Sequence, residues 1–261
     1  MDHREAGEYW ERNAAVWTRL ARAGYDVYRD CLNTPAFMAM LPDIAGLQGL
    51  ELGCGEGHNT RLLAGRGARV TAADIAASFV AAASELERAE TLRIRYLVAS
   101  MEELPFAELS FDFVLAIMSL MDVPQPDRAL AEAHRVLRPG GFLQFSITHP
   151  CTDTPFRQLI RDAAGRKVAL SIAGYFDEPD GRINRWLFGA APPELKQQLR
   201  PFETPCFHRT LSWWINTIVG AGFRIERMQE PTADDETVRR CPDMDDTRLV
   251  PYFLHVRCRK E

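Results

Sequence analysis

From about residue 46 to residue 148 the chain alternates short apolar runs with stretches of helical character. Residues 47–52 form a short apolar run that ends at glycines. Residues 68–73, 94–98 and 142–148 repeat the theme, and residues 111–117 are almost continuously apolar. Unbroken apolar runs of this kind suit strands buried on both faces. Between them, residues 58–64, 76–88 and 126–137 read as helices. The second is alanine-rich and built of strong helix formers. The third carries Pro126 in its first turn, where the missing N–H costs nothing, and is closed by Pro139-Gly140-Gly141. Strands alternating with helices imply βαβ units, so the pattern predicts an α/β core with a doubly wound, Rossmann-like, mostly parallel sheet.

The flanks break this rhythm. Residues 1–45 have helical segments carrying Tyr9, Trp10, Trp17, Tyr25 and Tyr28, which predicts an N-terminal helical cap or lid. The cofactor-binding core is expected over residues 46–149. Residues 150–209 are rich in proline, glycine and aromatics without a clean period, and read as an insertion after strand five that covers the substrate side. Residues 210–261 complete the core. They predict a helix at 211–221 with Thr210 as its N-cap, a strand at 223–228, a charged excursion, and a last strand at 252–257 that adds an antiparallel edge.

Composition narrows the picture. A chain of 261 residues, 46% hydrophobic and 26% charged, can bury a sizeable core. A net charge of −5 and a pI near 5.8 argue against a broad basic face, so no nucleic-acid partner is expected. No run approaches the ~18 apolar residues that a bilayer span needs, and the polar start Met1-Asp2-His3-Arg4-Glu5 does not read as a secretory leader. The expectation is a cytoplasmic protein without membrane attachment. Six cysteines are scattered with no C-x-x-C pair, which predicts reduced thiols and no zinc ribbon. The acidic runs at 234–236 and 243–246 read as a solvated excursion, so no metal is expected.

The strongest local signal is Glu51-Leu52-Gly53-Cys54-Gly55-Glu56-Gly57-His58, directly after the first strand. Glycines there let the chain turn sharply and let a ligand approach the backbone at a helix N-terminus. Asp74, at the end of the second strand, is placed to accept the hydroxyl protons of a ribose. A dinucleotide fingerprint G-x-G-x-x-G needs glycine where this chain has His58. A carboxylate at position 51 suits a ligand with a cationic amino group and repels a pyrophosphate.

Glu51 to Gly57 resembles motif I of class I S-adenosylmethionine-dependent methyltransferases. Residues 70–75 resemble their second motif and residues 99–106 the adenine-side loop of the small-molecule branch. Residues 110–114 are similar to the entrance to the fourth strand, and Arg135-Val136-Leu137-Arg138-Pro139-Gly140-Gly141 to the turn before the fifth. Five motifs in order cover about 100 residues, and the nearest likeness is to the ubiquinone/menaquinone-biosynthesis and methyltransferase type 11 proteins. The resemblance implies S-adenosyl-L-methionine as cofactor, with S-adenosyl-L-homocysteine as product. It implies cofactor contacts from Glu51, Gly53, Cys54, Gly55, Asp74 and Ile75, with Ser100 and Met101 beside the adenine and Ile117 at the fourth-strand end.

The acceptor should lie beyond the carboxyl ends of strands four and five. After strand four comes Met118-Ser119-Leu120-Met121-Asp122, which lacks the N-P-P-Y tetrapeptide used on base or glutamine amines. A small acceptor methylated on O or N, aromatic or heteroaromatic, is therefore expected. His149 and His208 are the candidate general bases, each weighed against a purely structural role. Trp10, Tyr25, Tyr28, Met118, Tyr175 and Trp186 are candidate walls of the acceptor pocket, with Arg209 a clamp for an anionic group. The competing readings are a methyltransferase acting on RNA or protein, a nicotinamide-dependent Rossmann oxidoreductase, and a non-catalytic module that binds the cofactor. The oligomeric state is not legible.

Overall fold

The computed structural model describes residues 1–179 and 181–261. The chain opens with α1 (His3–Arg22), whose start is fixed by a capping box between Asp2 and Glu5. A π-helical turn at Arg29–Asn33 leads into α2 (Thr34–Met40). The core then runs β1 (Gln48–Leu52), α3 (His58–Gly65), β2 (Arg69–Asp74), α4 (Ala77–Ala89), β3 (Arg95–Val98), β4 (Phe111–Ile117), a 3₁₀ turn at Leu120–Asp122, α5 (Pro126–Val136) and β5 (Leu137–Thr148). These elements fall where the apolar pattern predicts them, with one difference. Strand β5 starts at Leu137, which already pairs with Phe111, and runs through Pro139-Gly140-Gly141 across a register shift.

Residues 150–209 are more regular than their composition suggests. They form the hairpin β6 (Phe156–Arg161)–β7 (Lys167–Ala173) and the antiparallel pair β8 (Arg182–Trp186)–β9 (Phe202–Cys206), with α6 (Pro193–Gln197) between β8 and β9. Both sheets have only two strands, and the first is largely exposed. The chain finishes with α7 (Leu211–Gly220), β10 (Phe223–Gln229), α8 (Asp235–Arg240), a 3₁₀ stretch at Pro242–Arg248 and β11 (Phe253–Lys260). Thr210 caps α7 by accepting from the Trp213 N–H.

The main sheet has the order β10-β11-β5-β4-β1-β2-β3. Strands β5, β4, β1, β2 and β3 are parallel, and β11 pairs antiparallel with both β5 and β10. The antiparallel strand thus stands one in from the edge. Central β4 is buried almost throughout, as a strand covered by helices on both faces must be. Chain order reverses between β1 and β4, and the carboxyl ends of these strands open a crevice at that switch point. Helix α1 packs on α4 and on β9, so the N-terminal cap bridges the core and the insertion over this crevice. Among the described residues no helix is long and apolar enough to cross a membrane.

The cysteine expectation needs correcting. Cys31 and Cys241 are joined in a disulfide, while Cys54, Cys151, Cys206 and Cys258 are free. The two partners are 210 residues apart, so only the packing of the π-helical turn against the end of α8 brings them together. The acidic excursion is also only partly solvated. Asp246 is buried and ion-paired with Lys167.

Candidate functional site

The loop after β1 is shaped by left-handed glycines. Gly53 has φ +70°, and a Cβ there would fall 2.3 Å from the Ser119 Cβ, so nothing larger fits where the ends of β1 and β4 meet. Gly55 has φ +55° with open space around its absent side chain, which leaves its backbone approachable. The Gly53 and Cys54 N–H groups donate to the Ala73 carbonyl at 2.8 and 3.1 Å, tying the loop to the end of β2. Asp74, the last residue of β2, accepts from the Gly55 N–H at 2.8 Å on one oxygen and from the Ala76 N–H at 2.9 Å on the other. Each oxygen keeps a second lone pair for a ligand. Burial raises the Asp74 carboxyl to about 6, against the backbone donors that hold it down.

At the end of β4 the chain is re-aimed by Met118, a non-glycine residue with φ +53°. Its N–H donates to the Ser146 carbonyl at 2.9 Å, and the next residue, Ser119, donates its hydroxyl to the Leu52 carbonyl at 2.7 Å. These bonds lock the β4, β5 and β1 ends into one rigid rim.

A single cavity of about 1040 Å³ spans this rim and the space beneath the cap and insertion. Gly53, Cys54, Gly55, Asp74, Ile75, Ser100, Met101 and Ile117 line it together. Trp10, Tyr25, Tyr28, Met118, Trp186 and Arg209 line it as well, so most of the residues expected around two ligands share one wall. Trp10, Trp17, Trp186 and Phe188 are in edge-to-face contact, with ring centroids 4.9–5.6 Å apart. Arg209 lies 5.6 Å from the Trp213 ring and donates to the His208 carbonyl.

Four expected residues are placed elsewhere or used otherwise. Glu51 is fully buried beneath the loop, is not in the cavity wall, and accepts from the Thr60 hydroxyl of α3. Burial, with Asp74 and Glu56 nearby, raises its carboxyl to about 8, and it braces the loop from beneath without lining the cavity. His149 is buried outside the cavity. Its Nδ1 accepts from the Cys151 N–H, which places the ring proton on Nε2, facing the Glu230 carboxylate at 2.8 Å. With both nitrogens occupied by the protein, His149 is a structural link and not the base. His208 does reach the cavity wall, but its Nδ1 and Nε2 face the Asp153 and Tyr175 carbonyls at 3.1 and 2.8 Å. A ring held between two carbonyls has no free lone pair aimed at a substrate, so it too is structural. Tyr175 does not line the cavity. Its hydroxyl accepts from the Leu211 N–H at the start of α7.

Other contacts escape the sequence reading. Tyr28 donates to Asp246 at 2.8 Å, and Lys167 from the β6–β7 hairpin meets the same carboxylate. Arg29 joins Asp26, Asp30 and Glu56 behind the glycine loop, with Arg22 also on Glu56. Asp122 lines the cavity just past β4. Its stretch of sequence was informative only through the missing N-P-P-Y tetrapeptide, and an isolated aspartate there carries no periodic or spacing signal.

A nucleoside-binding glycine loop, a carboxylate ending β2, and one switch-point cavity define a class I, Rossmann-like methyltransferase domain. Residues 50–145 match the family described as methyltransferase domain (Methyltransf_11). A solved S-adenosylmethionine-dependent methyltransferase from Mesorhizobium loti aligns with a TM-score of 0.71 at 28% identity, covering 87% of this chain and 96% of that one. The malonyl-[acyl-carrier protein] O-methyltransferase of Pectobacterium atrosepticum is 35% identical over 124 residues, 47% of each chain. The chain thus spans about half the length of that curated relative. An uncharacterized Haemophilus influenzae protein is 28% identical over 240 residues, 88% of each chain.

The cofactor of this class is S-adenosylmethionine, and the residues present fit it. Asp74 offers lone pairs suited to a diol, Gly55 leaves its backbone open, and the loop end of the cavity is bordered by carboxyls that suit a cation and disfavour a pyrophosphate.

Proposed function

We propose that the protein transfers a methyl group from S-adenosylmethionine to an oxygen or nitrogen atom of a small, flat acceptor held in the same cavity. The observation that carries this reading is the continuity of the cavity. At about 1040 Å³ it stands at the top of the roughly 300–1,000 Å³ range of small-ligand pockets, and it joins the glycine-loop end to an aromatic-walled end. Asp74 and the Gly53–Gly55 backbone would hold the nucleoside, with Ser100 and Met101 beside its base. The bound cofactor supplies an electrophilic methyl group on a cationic sulfur.

What the chain does is position and enclose. Transfer by in-line displacement depends on holding the nucleophile close and aligned, which the rigid rim of β1, β4 and β5 favours. The cap and insertion cover the crevice, and the rings of Trp10, Trp17, Trp186 and Phe188 keep water from that wall. A ring wall suits a planar acceptor. Relatives named for an acyl-carrier acceptor match this chain over only 38–47% of their own lengths, which is too little to carry their acceptor over to this chain.

Isothermal titration with S-adenosylmethionine, S-adenosylhomocysteine and NAD tests the cofactor. Binding of the first two without the third is expected, whereas NAD binding alone overturns the reading. A screen with methyl-labelled cofactor then compares phenols and heteroaromatic amines with RNA and protein. Label in the small molecules supports the proposal, and label only in macromolecules replaces it.

A further inference from the structure

Six carboxyl groups line the cavity among the described residues: Asp26, Glu56, Asp74, Asp122, Asp153 and Asp246. Five are already engaged by the protein. Asp26 and Glu56 pair with Arg29, Asp74 takes two backbone N–H groups, Asp153 pairs with Arg157 at 3.0 Å, and Asp246 meets Lys167 and Tyr28. No hydrogen bond or ion pair reaches the Asp122 carboxyl from the described residues. A half-buried carboxyl on a cavity wall that the protein leaves uncommitted is free to meet a ligand.

Its place in the fold says which ligand. Asp122 ends the 3₁₀ turn that follows β4, three residues past the Ser119 that is bonded to Leu52 on the cofactor strand. That turn packs against β5, β9 and α5. From the segment after β5 the charged groups near Asp122 are Asp153 and its partner Arg157. From β8 and β9 they are Arg182 and the Cys206 thiol, and His208 is bonded through the Asp153 carbonyl. Helix α5 contributes no residue to the cavity wall among those described. Arg157 is already committed to Asp153, and Asp122 lines the cavity just past the carboxyl end of β4.

We propose that Asp122 is the carboxyl that faces the cofactor's sulfonium centre and takes up the acceptor's proton as that positive charge disappears. The inference rests on the methyl-transfer reading above. The acceptor's O or N forms a bond to the methyl carbon, and the sulfur–methyl bond breaks with its electron pair returning to sulfur. The electrons of the acceptor's O–H or N–H bond stay on the acceptor atom, and the proton passes to the Asp122 carboxylate and later to water. Desolvation in the cavity wall and the neighbouring Asp153 hold the Asp122 carboxyl well above the usual range. A cation alongside favours its ionised form, and the neutral thioether product does not. The carboxyl is thus charged before transfer and protonated after it, without any histidine.

The test needs no acceptor. Affinities for S-adenosylmethionine and S-adenosylhomocysteine are measured by calorimetry from pH 5.5 to 9, in buffers of different ionisation enthalpy, for the wild type and Asp122→Asn. The two ligands share ribose, adenine and amino acid, so effects of Asp74 and Glu51 cancel in the ratio. In the wild type, preference for the sulfonium ligand should rise roughly tenfold or more with pH, and only that ligand should release a proton attributable to Asp122. Asp122→Asn should flatten the ratio and abolish the difference in proton release. If both ligands bind and the ratio is flat, or the rise persists in the variant, the proposal fails while the cofactor reading stands. If neither binds, the cofactor reading itself fails. Should the variant not fold, carbon-13 NMR of aspartate carboxyls in the wild type makes the same comparison. A carboxyl titration displaced to lower pH by S-adenosylmethionine and not by S-adenosylhomocysteine supports the proposal, and its absence overturns it.

Discussion

At the scale of single residues the site depends on where carboxyls are buried. Asp74 has one lone pair per oxygen spent on the backbone and one left over, so its removal should cost both loop order and ligand binding. Asp74→Ala is expected to weaken both S-adenosylmethionine and S-adenosylhomocysteine by ~10–100-fold, the worth of about 1.5–3 kcal/mol for hydrogen bonds to a charged group. Unchanged affinity in titration calorimetry would remove Asp74 from the ribose site. Glu51 makes a pH prediction of opposite sign to that of an ion-paired carboxylate, whose value folding lowers. Its carboxyl is raised to about 8 in the folded chain, from an ordinary value of 4.5. The protonated form therefore folds without penalty at low pH, and stability is lost as pH rises from 4.5 through 8. Glu51→Gln mimics the protonated form. The melting temperature of the wild type should fall below that of the variant between pH 5 and pH 9, a window set by those two values. Parallel melting curves across that range would show that Glu51 does not titrate there.

At the scale of elements, two contacts decide how strands meet. Gly49 of β1 lies opposite Phe113 of β4, and a Cβ at position 49 would sit 2.0 Å from the ring. Gly49→Ala should cost about 1–3 kcal/mol by overpacking, and Phe113→Leu in the same chain should recover part of it. Denaturant melts of the single and double variants measure this, and additive losses would mean that the ring does not limit the approach. His149 links the end of β5 to Glu230, just after β10, and to Cys151. His149→Ala should cost about 1–2 kcal/mol of stability while leaving cofactor affinity unchanged. A loss of affinity with unaltered stability would restore a role for His149 at the ligand.

At the scale of the molecule, the cap, the insertion and the 3₁₀ stretch at Pro242–Arg248 converge on the cavity from separate parts of the chain. The Cys31–Cys241 bond fastens this convergence, because Cys31 lies between the cavity residues Arg29 and Asn33, and Cys241 precedes the stretch that carries Asp246. Thiol titration of the denatured, unreduced protein should find four free thiols, rising to six after reduction. Reduction should lower stability by about 2–4 kcal/mol, since it releases a constraint on the unfolded chain. Six thiols before reduction would show that the pair is open in solution.

The sequence by itself determined the strands and helices of the core, the glycine loop and the place of Asp74. Each of these is written in residues close together along the chain, as a period, a turn or the end of a strand. The two-stranded sheets of residues 150–209 were not visible, because the exposed strands of the first leave no apolar period. Tertiary structure alone decided which side chains reach the cavity. Glu51 and His149 occupy expected positions along the chain, yet one is turned under the loop to Thr60 and the other is held by Glu230, 81 residues away. Tyr28 meets Asp246 across 218 residues, and Asp122 is distinguished only by the partners it lacks. A side chain's protonation and reach depend on what the folded chain packs around it, and those neighbours come from distant segments that no local pattern encodes.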